Sequence, residues 1–130
     1  MRFRRDPVSR SSEYLRLRAD IFVAALIRRV ATEGAFAVLR RRGAAEAGAI
    51  FVKVDRLDGR TAVLGPAPQT QLAESVERGV DRVFARTHRD EWVEPQEAER
   101  RLKRELDFDP DLWIVEIEDR EGRAFVDLAG

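Results

Sequence analysis

The sequence predicts an α+β domain in which an antiparallel sheet of five or six strands carries one long N-terminal helix packed on a face and a second helix on the surface. Three stretches predict it. Residues 49–65, AIFVKVDRLDGRTAVLG, alternate on either side of Asp58-Gly59 as a β-hairpin does. Leu15 to Glu33 repeats apolar residues at helical spacing, and Phe108 to Gly122, FDPDLWIVEIEDREG, alternates again after a break at Asp109-Pro110.

A chain of 130 residues is one domain's worth and buries about two-thirds of its unfolded surface, enough for a core without staples. The absence of cysteine excludes disulfides, thiolate metal sites and cysteine nucleophiles, and suits a reducing compartment. The longest apolar run, Ile21 to Ile27, falls well short of the roughly 20 residues of a membrane span. The opening MRFRRDPVSRSSE lacks the apolar core of a signal peptide. A soluble, cytoplasmic protein with no membrane partner is expected.

Residues 1–14 are polar and arginine-rich and read as a flexible arm, and residues 15–130 as one domain. In the first helix Phe22, Leu26 and Val30 share a stripe with Val23 and Ile27 beside it. Gly34 fits its C′ position, and Arg28 and Arg29 near its end complement the helix dipole. Ala35 to Arg42 alternates as a strand, with Ala37 and Leu39 on one face. Pairing Arg42 with Ala49 across the Gly43 to Gly48 loop sets Ala37 beside Val54 and Leu39 beside Val52. In the hairpin, a two-residue turn of the type Asp-Gly favours pairs Asp55 with Ala62, Val54 with Val63 and Val52 with Gly65. Ile50, Val52, Val54 and Val63 then make one apolar face.

Gly65-Pro66-Ala67-Pro68 ends that strand, because proline cannot donate to a ladder. Leu72, Val76, Val80 and Val83 recur at helical spacing, while Val83 to Thr87 also suits a strand. The reading is a loose turn or short helix, then a strand near Asp81 to His88. Pro95 opens the second helix at a position where its missing N–H costs nothing. Ala98, Leu102 and Leu106 form its narrow apolar stripe, with charge pairs from Glu97 to Arg101 and from Arg101 to Glu105 outside. Trp113, Val115 and Ile117 then alternate against Leu112, Ile114, Glu116 and Glu118, a strand buried on one face. Trp113 is expected to anchor the core against Phe22 and Leu26. Gly122 turns the chain into Arg123 to Leu128, a last short strand.

The segments RLRADIFVAALIRRV, GAIFVKVDRLDG with its GPAP exit, and FDPDLWIVEIEDREGR, taken in that order, resemble a family of short bacterial proteins catalogued only as a domain of unknown function, number 1491. The resemblance runs from about Arg16 to Leu128. It implies a single domain and brings no assigned activity and no catalytic residues.

The formal net charge is zero, yet residues 1–60 hold 14 basic against 7 acidic side chains and residues 61–130 hold 10 against 17. Such asymmetry marks a basic surface unless the fold interleaves the halves. Arg28, Arg29, Arg40, Arg41 and Arg42 are the candidate anion- or nucleic-acid-binding residues, because guanidinium forks suit phosphate. The glycine-containing loop after Arg42 lets backbone approach an anion but lacks phosphate-loop spacing. Glu116 and Glu118, two apart on a strand, set carboxylates about 7 Å apart and form a possible acidic site. Solvation at a sheet edge explains them more simply. Asp107, Asp109 and Asp111 lack the glycine and distal glutamate of a calcium loop, so helix capping is the better reading. With His88 as the sole histidine and no cysteine, only an oxygen-rich metal site such as Glu116 with Glu118 is open; no metal or cofactor is expected.

These features point to a non-enzymatic binding or interaction module that self-associates as a homodimer, since apolar residues lie on both sheet faces and two helices are too few to cover them. The alternatives are an RNA- or phosphate-binding protein using the arginines, with nucleic acid or an acidic protein as partner, and a carboxylate-dependent hydrolase.

Overall fold

The computed structural model describes residues 17–68 and 82–129. The arm assigned to residues 1–14 and the stretch from Leu72 to Val80 lie outside them. Among the described residues the order is α1 (Ala19–Thr32), β1 (Phe36–Arg41), β2 (Ile50–Asp55), β3 (Thr61–Pro66), β4 (Val83–Arg86), α2 (Pro95–Phe108), β5 (Trp113–Glu118) and β6 (Asp127–Leu128). The α+β class stands. The sheet runs β1-β5-β2-β3-β4-β6 and is mixed, because β5 lies parallel to β2 and β6 parallel to β4.

Helix α1 buries Ala19, Val23, Leu26 and Val30, one stripe of its apolar repeat. It stops in a Schellman arrangement: Gly34 N–H donates to Ala31, Ala35 N–H donates to Val30, and Gly34 takes φ +85°, which glycine adopts without a Cβ clash. The chain then enters β1.

Two expected pairings are corrected. Strand β1 does not pair with β2; β5 lies between them, with Leu39 opposite Val115 and Val115 opposite Val52, and with Ala37, Ile117 and Val54 aligned in the same way. The rows were legible and the inserted strand was not, because alternation fixes which face a residue takes but not which strand is its neighbour. The hairpin register also moves by one: Asp55 faces Thr61, Val54 faces Ala62 and Val52 faces Leu64. Arg56 N–H closes on the Arg60 carbonyl around a three-residue loop in which Leu57 has φ +66°, and the Asp55 and Asp58 carboxylates accept the Leu57 and Arg60 N–H groups. Those side chains outweigh the two-residue Asp-Gly turn, so Val63 points to the opposite face from Val52 and Val54.

The two sheet faces have separate cores. On one, α1 packs with Ile50, Val52, Val54, Ala62, Leu64, Phe84, Trp113, Val115 and Ile117. On the other, Ala98 and Leu102 of α2 pack with Phe51, Val63, Leu112 and Ile114. Helix α2 is therefore the cover of a second core rather than a surface helix alone, and β5 is buried on both faces from Trp113 to Val115. Strands flanked on both sides read as continuous apolar runs, and WIV is one. Trp113 lies in the same core as Phe22 and Leu26, and its indole N–H donates to the Ala44 carbonyl at 2.8 Å.

Candidate functional site

The cover provided by α2 changes character along its length. Where Ala98 and Leu102 end, four charges meet: Arg40 from β1, Lys53 from β2, Glu116 from β5 and Glu99 from α2. The sheet register explains how they meet, since Glu116 stands directly opposite both Val38 and Lys53. The β1 register shifts between Leu39 and Arg41, so Arg40 is an extra residue, and this bulge re-aims its side chain. Its guanidinium grips Glu99 through two bonds of 2.9 Å and reaches Glu116 at 3.3 Å. Lys53, only 6% exposed, donates to Glu99 at 2.7 Å and lies 3.5 Å from Glu116.

A buried ammonium in an otherwise apolar strand requires carboxylates, and two are supplied. The Arg40 fork, then Lys53, holds the Glu99 carboxyl down at about 2 from an ordinary 4.5, against the opposing effect of burial. The group is balanced, two positive against two negative. It fixes α2 on the sheet and keeps the Glu99 carboxylate ionised well below neutral pH.

The other sequence candidates are distributed. Arg28 and Arg29 are exposed on α1, which packs on the face of the sheet opposite to α2, and Arg29 donates to the Phe125 carbonyl at 2.7 Å. Arg41 donates to the Pro110 carbonyl at 2.6 Å, and Arg42 lies 5.2 Å from the Trp113 ring centroid. Carbonyls of the Gly43 to Gly48 loop serve α1: Glu46 and Ala45 accept from Ala19 and Asp20 and so cap the helix. Glu118 stays apart from the four-charge group and lines a shallow hollow with Phe36, Asp119 and Arg123. Asp109 closes α2, its carboxylate accepting the Asp111 N–H at 3.0 Å. Among the described residues no group of His, Cys, Asp or Glu is arranged to hold a metal ion.

His88 is structural. Its Nε2 accepts the Val63 N–H at 2.9 Å and its Nδ1 lies 2.7 Å from the Asp90 carbonyl, which fixes a neutral ring protonated at Nδ1. Burial lowers its pKa. Sequence reasoning missed Glu99. The signal was Lys53, one of two lysines among 22 arginines, set inside IFVKVD.

At the end of the same face beyond α2, β1 forms an edge of the sheet with Phe36 57% and Val38 42% exposed. The opposite edge, β6, has two residues.

Residues 17–127 match the family described as a protein of unknown function, DUF1491. The chain belongs to this family. A crystal structure of a DUF1491 protein from Caulobacter crescentus shares 37% identity at a TM-score of 0.71, covering 88% of this chain and 98% of that one. Protein Atu0922 from A. tumefaciens, solved in solution, shares 44% identity at a TM-score of 0.71, covering 87% and 94%. An NMR structure of a DUF1491 protein from Caulobacter crescentus shares 38% identity at 0.70, covering 88% and 97%. No curated protein matches the chain. Among the described residues no helix is long and apolar enough to cross a membrane.

Proposed function

We propose that this protein is a small, non-enzymatic interaction module of the cytoplasm that self-associates through the outer edge of β1. One observation carries the reading: the regular part of this edge strand, Phe36 to Leu39, turns two large apolar side chains to solvent and has no strand beside it among the described residues. Exposed strand edges pair with other strands unless blunted by charge, proline or a bulge. Arg40 blunts only the far end.

The wider apolar faces that suggested a dimer are closed by α1 and α2, which confines the reading to this edge. Antiparallel pairing with a second copy sets the Arg41 end of one strand beside the Phe36 and Glu118 end of the other, a favourable match of charge. The nucleic-acid reading is weaker, because Arg40 is answered by Glu99 and Glu116 and Arg41 is spent on a carbonyl. The hydrolase reading is weaker for the same reason, since Glu116 is neutralised by its neighbours.

Light scattering across concentration tests the proposal, with a dimer expected at about ten micromolar. Val38→Lys, on an exposed position, should weaken association at least about tenfold by placing a charge on the pairing edge, without loss of fold. A monomer at every concentration overturns it.

A further inference from the structure

The segment from β5 to β6 closes over the α1 face of the sheet and leaves a cavity of about 230 Å³. Val54, Ala62 and Leu64 form its apolar side, and Trp92, Arg86 and Arg123 complete the wall. The register explains the mixture, for Leu64 stands between Val52 and Arg86 across three strands, so an arginine occupies the row that is otherwise aliphatic.

The polar wall is built. Gly122 has φ +76°, and a Cβ there would stand 2.7 Å from the Trp92 ring, so this backbone passes against the indole. The Arg86 and Arg56 guanidinium carbons lie 5.3 and 5.2 Å from the centre of the same ring. Arg123 is spoken for, since the Asp119 carboxylate takes its Nη2 at 2.9 Å and its Nε at 3.1 Å. Arg86 is not. Its Nε donates to the Glu91 carbonyl at 2.8 Å, and among the described residues no carboxylate pairs with it. The cavity wall thus carries two guanidinium groups and no acid.

We propose that this cavity binds a small organic carboxylate with an aromatic or branched apolar body, the carboxylate meeting Arg86 and the body resting on Val54, Ala62 and Leu64 beside Trp92. Size limits the ligand, because drug-sized sites span about 300–1,000 Å³ and this one is smaller. Charge selects it, since a guanidinium flanked by an indole and aliphatic carbon strengthens its bonds to an anion in a way that bulk water would not. This inference is independent of the β1 edge, which lies at the other side of the sheet.

Nuclear magnetic resonance of the full chain tests it, with phenylacetate as the anionic probe and phenylacetamide as its neutral counterpart. Phenylacetate should shift the Arg86 and Gly122 amides and the Trp92 indole, and phenylacetamide should bind at least about tenfold more weakly. Arg86→Gln should remove that difference while the buried Trp113 indole signal stays in place. If Arg86→Gln fails to fold, Arg86→Lys serves, with phenylacetate expected at least about threefold weaker because the fork is lost. No shift at these positions at about 10 mM probe, or equal binding of both probes, overturns the proposal.

Discussion

The two faces of the sheet are made from alternate residues of the same strands, yet they are closed by different means. Against α1 the buried core is apolar, from Val23 and Leu26 to Trp113 and Ile117. Against α2 it is carbon as far as Ala98 and Leu102, after which Glu99 reaches back to Arg40 and Lys53. Apolar burial is additive and indifferent to direction, so the α1 face supplies stability. Ion pairs shed hydration to form and gain little net energy, but they tolerate one arrangement only, so the α2 face fixes position.

The largest break in this comparison comes from the carbon side. Trp113→Ala should cost about 3–5 kcal/mol in urea unfolding, through the cavity left between sheet and α1 and the lost bond to Ala44. A loss under about 1 kcal/mol would mean that the ring does not hold the core. On the ionic side Glu116→Ala should cost about 1–3 kcal/mol, because the buried Lys53 side chain loses one of its two carboxylate partners. The same unfolding curve reads it.

Acid sharpens the contrast with the smallest effect. Glu99 titrates at about 2 in the folded protein and near 4.5 when free, so the folded state binds fewer protons between those values. Its contribution is whole above 4.5, fades as pH falls and is gone below about 2. Urea midpoints taken between about pH 5 and pH 3 should fall in the parent, and Glu99→Gln should flatten part of that slope. An unchanged slope would remove Glu99 from the acid response.

Much of this was legible. Pro95 and Gly34 marked helix ends because each has a backbone preference that shows in a single residue. Alternation correctly set Ala37 with Leu39, and Val115 with Ile117, on one side of their strands. Leu57 gave no sign of its left-handed backbone, since the carboxylates that hold it belong to Asp55 and Asp58, and so the hairpin register slipped by one. The five arginines clustered in the sequence were parted by the fold: alternate faces and a bulge sent Arg40 to α2 and left Arg28 and Arg29 on α1. Arg86 and Trp92 carried no motif, and only the strand register brings that arginine beside Leu64.

Strand β5 joins what would otherwise be two separate parts of the sheet. Arg40 and Glu116 are 76 residues apart in the chain, and β1 touches the β2–β3 hairpin only through the strand between them. A growing chain can form α1 with β1, and the hairpin by itself, but neither gains its neighbour until Trp113 to Glu118 has been made. Both flanks of that slot carry open backbone groups and apolar side chains in the meantime, a period in which the nascent protein is most open to wrong pairing with another chain. The last third of the polypeptide therefore acts as the key that completes the earlier two-thirds.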